Sequence, residues 1–524
     1  MRLDPRDHFS PTRRSALLGI GELGLLAALG RSGPSLAQIS LAATPAALST
    51  TQATWRAMSR VGYGPTPALL RSLESAASPK EWALAQVDLA LAASRSPPAI
   101  PPENAGFNAP LPELMAGFQR ERQARATGAP KLQKDNLAAT PSPTAMVNVP
   151  DAEPFSRSMV QQAAAWRLAS CSQPDLENPL LARLTEFWFN HLNVFSGKGA
   201  VRPFTGHYVV NVARAHALGK FENLLLASAR HPAMLQYLDQ AQSVAAGARG
   251  PQGQARGLNE NYARELMELH TLGVNGGYTQ TDVRELARVL TGWTVSNTDA
   301  SGYRFAPRQH DTQTKQVLGQ VFPSSVLASG EAEGVEAIRL LARHPATARR
   351  VCLRLAQFFV ADQPPPQMVK HLGDVFLSTQ GDLRAVMRSL LAAPEFWQSD
   401  QTLFKTPMDF ACSALAATQA LTADVAPATP ERRPVVLTLG FLGNAGQPLH
   451  GWQTPDGYPF DAATWMAPEA LTRRADYALA LARQTPELSF LDPYLSAATR
   501  EAISREKPAL RAGLALASPD FMYK

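Results

Sequence analysis

Apolar residues recur at helical spacing through most of this chain, and the alternating pattern of β-strands is scarce. A period near 3.6 residues predicts amphipathic helices, whereas half-buried strands alternate with a period of two. The sequence therefore predicts a mostly α-helical protein with a large multi-helix body, a long irregular proline-rich arm near the N-terminus, and a helical C-terminal portion. The helical segments of the body are 156–170, 178–193, 203–217, 219–228, 232–243, 259–272, 279–292, 331–343, 345–360, 365–377, 381–392 and 405–420.

Proline content sets the expected boundaries. The chain has 42 prolines among 524 residues, and many of them fall between residues 97 and 155. Proline removes a backbone donor and restricts the residue before it, so this stretch predicts an irregular arm. The predicted organisation is a signal peptide at 1–37, N-terminal helices at 38–96, the arm at 97–155, the main helical body at 156–420, a linker at 421–434 and a C-terminal helical portion packed on the body at 435–524.

The N-terminus has the pattern of a targeting segment. Arg13-Arg14 precedes a weakly apolar run, 15–30, and Ser35-Leu36-Ala37 offers small residues for cleavage. This pattern predicts export by the twin-arginine route, and hence a periplasmic or secreted protein. The alternative is a chance arginine pair before a short anchor helix. No later stretch approaches the roughly 20 continuous apolar residues of a membrane span, so no transmembrane anchor is expected in the mature protein.

Charge and cysteine usage exclude several classes. The net charge of +6 is modest, and Lys and Arg form no basic run, so nucleic acid is not an expected partner. Cys171, Cys352 and Cys412 allow one disulfide at most, and the chain has no Cys-x-x-Cys pair. Cys352 and Cys412 lie in apolar helical patterns, which is typical of buried thiols.

A helical hairpin at residues 259–293 contains a misplaced carboxylate. Tyr262, Leu266, Leu269 and Leu272 form one apolar stripe, and Glu265 falls inside it. A buried carboxylate must be paired, protonated or bound to a ligand, because burying it alone is too costly. Glu265 is therefore a candidate metal ligand or acid–base group, and a structural ion pair is the alternative.

The same hairpin resembles a known family. Asn259-Glu260-Asn261-Tyr262-Ala263-Arg264-Glu265-Leu266, then Glu268-Leu269-His270-Thr271-Leu272-Gly273 and Gly276-Gly277-Tyr278-Thr279-Gln280, is similar to the signature of the bacterial domain-of-unknown-function-1800 family. The activity of that family is not established, so the resemblance implies architecture more than function. Weaker similarities extend over most of the chain, at 60–65, 187–191, 216–221, 231–234, 310–311 and 452–465.

The helical patterns and this resemblance identify two histidines, His191 and His270, as candidate site residues. His191 lies on the apolar stripe of helix 180–192, where it is either a ligand or a hydrogen-bonded core residue. The family usually has His-Asn-His here, whereas this chain has Phe189-Asn190-His191, so one possible metal ligand is missing. His270 lies about 140° from Glu265 on a regular helix. Its place in the last turn suits a cation that interacts with the helix dipole, although the family motif keeps this histidine.

A polar loop supplies the last candidates. In His310-Asp311 both side chains can coordinate a metal, or the aspartate can orient the histidine for proton transfer. A structural aspartate with an exposed histidine is the alternative. We expect His191, Glu265 and the loop pair to face one cavity, with His270 as a weaker member. Zinc, iron or manganese would suit these ligands. The predicted metal ligands are His191, Glu265, His270, His310 and Asp311.

Two functional classes remain open from the sequence. The first is a metal-assisted, hydrolase-like enzyme that acts on a cell-envelope or extracellular polymer, with Glu265 and His191 as catalytic residues. The second is a non-catalytic binding or assembly protein that acts beside an exported sulfatase-like partner. The partner is implied by the resemblance alone, because genes of the family often lie next to those of the domain-of-unknown-function-1501 family. No serine-nucleophile elbow, Walker loop or His-Glu-x-x-His pair is present.

Overall fold

Helices make up nearly all the regular structure of this protein, as the apolar pattern predicts. The computed structural model describes residues 47–128, 154–248, 257–324, 330–398, 400–421, 432–485 and 487–524. The predicted signal peptide lies outside the described residues.

Four α-helices precede the main body, and their starts follow from the sequence. Thr66 and Ser78 each cap a helix whose first residue is proline, and each side chain accepts a backbone hydrogen bond from the first turn. This pairing is common because proline lacks the N–H group that would otherwise need a partner. The helices are α1 (Thr50–Arg56), α2 (Pro67–Glu74), α3 (Pro79–Ser94) and α4 (Leu111–Gly128).

The fourth helix corrects the prediction of an irregular arm over residues 97–155. Pro102–Asn108 is a 3₁₀ helix and Leu111–Gly128 is an α-helix, while residues 129–153 lie outside the described part. Leu111, Leu114 and Met115 are buried and have the spacing of one helical face. The prolines around this segment begin and separate its helices. Because they are numerous, the sequence pattern predicted irregular chain, and the apolar face was not recognised.

The main body contains twelve further α-helices in the described residues. They are α5 (Phe155–Ser172), α6 (Pro179–His191), α7 (Thr205–Tyr208), α8 (Phe221–Arg230), α9 (Pro232–Tyr237), α10 (Asn261–Glu265), α11 (Gln280–Val289), α12 (Gly330–Ala342), α13 (Pro345–Phe359), α14 (Pro366–Ser378), α15 (Leu383–Ala392) and α16 (Pro407–Thr418). They share one hydrophobic core with the helices on either side.

Two short antiparallel hairpins interrupt the helices, and the sequence pattern did not predict them. β1 (Trp293–Val295) pairs with β2 (Tyr303–Phe305), with Trp293 opposite Phe305. β3 (Lys315–Val317) pairs with β4 (Gln320–Phe322). Each strand has three residues, which is too few for an alternating pattern to be recognised.

The C-terminal helices pack on the body through α16. Tyr477 places its ring edge toward Phe410 at a centroid distance of 6.2 Å, and Arg474 donates to the backbone oxygen of Lys405. The helices are α17 (Arg432–Asn444), α18 (Ala462–Trp465), α19 (Pro468–Leu481), α20 (Ala497–Ser504) and α21 (Pro508–Ala517). The predicted linker 421–434 thus ends earlier than expected, and residues 422–431 lie outside the described part.

Helix α6 is central to the fold. Asn178 caps it by accepting from the backbone N–H of Leu181 at 3.0 Å, and Pro179 is its first residue. Nearly all of its side chains are buried, so polar residues as well as the predicted apolar stripe face the interior. It packs against the π-helical segments Ala57–Val61 and Val209–Arg214. π-Helical turns occur frequently at functional sites, which directs attention to α6 and its neighbours.

Candidate functional site

His191, at the end of α6, is a packed core residue. Its Nε2 lies 3.1 Å from the backbone oxygen of His270, and its ring stacks on Phe187 at a centroid distance of 6.0 Å. Burial holds the pKa of His191 well below its usual value, and the nearby Arg350 and Arg354 lower the pKa further. The imidazole is therefore neutral at pH 7 and donates its single proton to a carbonyl oxygen. This is the hydrogen-bonded alternative to a ligand role.

A third π-helical segment changes which residues are buried in the signature helix, the predicted helix 259–272 of the hairpin. After α10 the chain continues as a π-helix over Leu266–Thr271, in which the Thr271 hydroxyl donates to the Leu266 carbonyl at 2.6 Å. Each residue then turns the chain by less than the roughly 100° of an α-helix. Leu269 moves to a partly exposed position, and His270 becomes buried.

The expectation that His270 is a cation at a helix end is wrong for this reason. Burial lowers the pKa of His270 to about 3, and Arg350 contributes to the decrease. Its Nε2 is buried without a hydrogen-bond partner among the described residues. Arg350 instead donates to the nearby backbone oxygen of Leu269 at 2.9 Å, and so satisfies a carbonyl of the π-helical segment.

Glu265 lies at the boundary between core and solvent. It is half-buried, and no ion pair or hydrogen bond joins its carboxylate to another described residue. Burial raises the pKa of Glu265, and the negative charges of Glu268 and Asp456 act in the same direction, while Arg264 opposes them. Full burial of Glu265 was expected and is not observed. The group is a carboxyl with increased proton affinity on a partly open face.

Two further charged residues of the signature, Arg264 and Glu268, have different partners. Arg264 contacts Glu260 at 3.4 Å, four residues earlier, and not Glu268. Glu268 accepts a hydrogen bond from the hydroxyl of Tyr278 at 3.2 Å. Tyr278 comes from the turn that closes the hairpin, so this contact ties the turn back to the helix.

The loop pair His310-Asp311 belongs to another neighbourhood. Asp311 forms an ion pair with Arg288 of α11 at 2.8 Å, so it does not orient His310. His310 is buried, not exposed, and its Nδ1 lies 2.9 Å from the Thr291 carbonyl oxygen. Its Nε2 lies 3.5 Å from Glu333, which also contacts Lys315 at 2.7 Å.

The five predicted ligands therefore fall into separate groups. His191 contacts the backbone of His270, and the loop pair contacts α11 and α12. The pKa of Glu265 is raised by burial and by the charges of Glu268 and Asp456. Within the ranges that the structure describes, no cluster of three or more His, Cys, Asp or Glu side chains is arranged to hold a metal ion. The predicted metal set is not assembled from these residues.

A polar stripe on α6 was missed by the sequence reasoning. Glu186 accepts hydrogen bonds on its two carboxylate oxygens from the hydroxyls of Tyr63 and Tyr458. Arg183, one turn before it, forms an ion pair with Asp409 of α16. Arg183, Glu186 and Asn190 recur at helical spacing, and that spacing was the available signal for a buried polar face.

The aromatic turn at residues 452–458 packs on this polar face. The amide of Asn190 donates to the Tyr458 carbonyl at 3.0 Å and accepts from the Tyr458 N–H at 2.8 Å. Gly457 has a φ of +71°, and a Cβ there would lie 2.3 Å from the backbone oxygen of Asn190. Only glycine fits so close an approach. Packing on the helical body is thus the role of this turn, as opposed to an open stacking surface.

On its other side the turn approaches the Glu265 face. Tyr237 donates its hydroxyl proton to the Gln453 carbonyl at 2.6 Å, and the pKa of Tyr237 is raised by burial and by the charges of Glu265 and Asp456. The turn therefore lies between the polar side of α6 and the half-buried carboxylate of the signature helix.

Comparison with known proteins agrees with the resemblance seen in the sequence. The model of a family described as "Protein of unknown function (DUF1800)" matches residues 56–523, which span nearly the whole described fold. No curated protein and no solved structure shows significant similarity to the chain. The match covers α6, the signature helix and the aromatic turn, and on this basis the chain belongs to the DUF1800 family.

Proposed function

We propose that this chain is an exported protein that works by binding or assembly beside an exported sulfatase-like partner of the domain-of-unknown-function-1501 family. The observation that carries the proposal is that four of the predicted ligands are buried or paired inside the fold instead of being gathered at one metal site. His191 and His310 each lie within hydrogen-bond distance of a backbone carbonyl oxygen, His270 is buried and neutral, and Asp311 is paired with Arg288. Side chains that are buried or paired in this way stabilise the fold. This favours a function that depends on the protein's surface.

A disulfide supports the export part of the proposal. Cys171 of α5 is bonded to Cys412 of α16, so Cys412 is not the buried thiol that its apolar pattern indicated, while Cys352 is a buried free thiol. Structural disulfides persist in oxidising compartments such as the periplasm and are rare in the cytosol. Among the described helices, none is long and apolar enough to cross a membrane.

The export proposal has a direct test in the arginine pair. Changing Arg13→Lys together with Arg14→Lys keeps the charge but removes the feature that the twin-arginine route recognises. We expect uncleaved precursor to accumulate in the cytoplasm, while the single change Arg2→Lys leaves export intact. Unchanged export of the double variant would refute this route.

Partner binding is tested by co-expression with a domain-of-unknown-function-1501 protein encoded beside this gene, followed by gel filtration. Val274 is a useful position because it lies in the signature turn and is 67% exposed. Val274→Asp is expected to abolish co-elution. Val321→Asp is a matched control in β4, since Val321 is also an exposed valine, at 56%. Separate elution of the two wild-type proteins would contradict the partner proposal.

A second candidate function is a hydrolase-like enzyme that acts on a cell-envelope or extracellular polymer. The raised pKa of Glu265, with Glu268 and Asp456 nearby, favours it, because a carboxyl that retains its proton can act as a general acid. The test is release of soluble fragments from purified envelope polymers by wild type and Glu265→Gln. Activity that Glu265→Gln lacks and Glu268→Gln retains would favour the enzyme over the binding protein.

A further inference from the structure

A small cavity lies between α5, α6 and the loop that leads into the aromatic turn. Arg167 of α5, Glu186 of α6, and residues 447–450 and Trp452 of the loop contribute to its lining. Its volume is about 30 Å³, taken as the space open to the centres of water molecules. About 10–15 Å³ of such space accommodates one water molecule, so the cavity holds two or three water-sized groups.

Three of the residues that line this cavity have polar atoms without hydrogen-bond partners. The Nε2 of Gln447, the Nε1 of Trp452 and both ring nitrogens of His450 are buried without a hydrogen-bond partner in the described ranges. Gln447 and His450 are only 4% and 3% exposed. Leaving a buried polar group unpaired is unfavourable, so four such atoms in residues that line one cavity indicate that something else satisfies them.

Arg167 provides the strongest indication of what that is. It is 3% exposed, yet its guanidinium makes no hydrogen bond or ion pair with any described residue. The buried carboxylates nearby already have partners. Asp409 contacts Arg183 and Lys524, and Glu186 faces Arg183 at 3.9 Å and two tyrosine hydroxyls. Arg167 is thus a largely buried cation without a matching anion, and an anion in the cavity would supply one.

The other walls of the cavity are compatible with an anion. His450 is held with a φ of +59°, a conformation that is uncommon for residues other than glycine and that occurs often at functional sites. Burial, together with Arg167, lowers the pKa of His450 to about 3, so its neutral ring offers one N–H group. The negative charge of Glu186 opposes an anion, but hydroxyl donors cover its two oxygens. Phe189 places its ring 5.1 Å from that of His450 and forms an apolar wall.

We propose that this cavity binds a carboxylate group of the size of formate or acetate, with Arg167 as its main partner. The planar guanidinium fork matches the two oxygens of a carboxylate, and formate has one carbon and two oxygens, which suits a cavity that holds two or three water-sized groups. Gln447 and Trp452 supply further donors to the same oxygens. This site goes beyond the proposed partner binding and does not depend on it, because it is formed within one chain.

The test measures the melting temperature of the purified full-length protein in acetate, formate, phosphate and chloride at equal ionic strength. A saturating ligand that binds only the folded state is expected to raise the melting temperature by about 3 °C. Acetate and formate should do so for the wild type, and chloride should not. A change in tryptophan fluorescence should accompany binding and should be absent in Trp452→Phe.

Arg167→Met and Arg157→Gln form the matched pair of variants. Arg157 is an exposed arginine of the same helix, so Arg157→Gln should keep the full acetate response. Arg167→Met should lose the response, and in chloride it should melt no lower than the wild type, because it removes an unmatched buried cation. Should Arg167→Met fail to fold, the weaker response expected of Gln447→Leu provides the test.

Three outcomes would overturn the proposal. The first is an equal acetate response in the wild type and Arg167→Met, which would indicate a general salt effect. The second is a response to phosphate alone, which would indicate an anion site of another class. The third is no response to any anion and no fluorescence change, which would mean that the cavity holds water only. Each is measured without a partner protein and is therefore distinguishable from failure of the partner proposal.

Discussion

The imidazole Nε2 of His191 lies 3.1 Å from the backbone oxygen of His270, and this contact joins α6 to the π-helical segment of the family signature. A carbonyl oxygen can only accept, so Nε2 carries the proton of the neutral ring. Two histidines that attract attention in the sequence thus meet each other in the core, one through its side chain and the other through its backbone.

Replacing His191 should affect stability more than any chemical activity. His191→Ala removes a side chain packed between Phe187, Trp188 and Phe221 and should lower the free energy of unfolding by about 2–5 kcal/mol. His191→Phe retains the volume but leaves the His270 carbonyl without its donor, at a cost of about 1–3 kcal/mol. Urea unfolding measures both values. A stable His191→Ala variant with altered ligand or metal binding would contradict the structural role.

Buried neutral histidines predict a protein that is sensitive to mild acid. The pKa of His270 is about 3 in the folded state, against about 6.5 in the unfolded chain. The unfolded state therefore binds more protons below pH 6.5, and stability is lost as the pH falls from about 6.5 toward 3. Each such histidine contributes a slope of up to about 1.4 kcal/mol per pH unit.

Urea midpoints at pH 7.5, 6.5 and 5.5 test this dependence. His270→Gln should show a shallower loss of stability with falling pH than the wild type, because it removes one of the groups that protonate on unfolding. His371→Gln alters an exposed histidine and serves as a control. Parallel pH profiles for the wild type and His270→Gln would be inconsistent with a buried neutral His270.

The disulfide should contribute strongly to stability because it closes a long loop. Cys171 and Cys412 are 241 residues apart in the sequence, and cross-links over long loops constrain the unfolded chain most. Cys171→Ser with Cys412→Ser is expected to reduce the free energy of unfolding by about 2–5 kcal/mol. Reductant should destabilise the wild type but not this double variant. Cys352→Ala, which removes the buried free thiol, should leave the effect of the reductant unchanged.

Glu265→Gln should be neutral or slightly stabilising at pH 7. A carboxyl whose folded-state pKa is raised destabilises the fold when ionised, and this cost disappears as the pH falls through the folded pKa. Because Glu265 is only half-buried, solvent screening limits the gain to about 0–1 kcal/mol. Glu268→Gln should instead weaken the contact with Tyr278 and cost about 0.5–1.5 kcal/mol. Thermal melting that showed a large loss for Glu265→Gln would reveal a buried partner.

The sequence predicted the helical architecture well because each long helix carries its own period. Asn178-Pro179 begins α6 and Thr279 caps α11 in ways that the residue types specify directly. The order of helices in the body could therefore be read from caps and apolar spacing. Helix α4 was not predicted, because the prolines around it suggested irregular chain. Those prolines in fact begin or separate the neighbouring helices.

The candidate site was harder to predict because it depends on local departures from regular geometry. The π-helical winding at Leu266–Thr271 exchanges the expected positions of Leu269 and His270, and no residue in that segment signals it. The hydrogen-bond partners of Glu186 come from chain segments more than 100 residues away, and so do the loop residues that line the cavity beside Arg167. The spacing within one helix cannot identify either.

Metal analysis of the wild-type protein, purified from its native host, tests the central claim most directly. Because His191, His310 and Asp311 are committed to the fold and the buried His270 belongs to no cluster of ligands among the described residues, we predict zinc, iron and manganese contents well below one atom per chain. A stoichiometric metal in the wild type that is absent from Glu265→Ala, while that variant remains folded, would contradict this account and restore the metal-assisted enzyme.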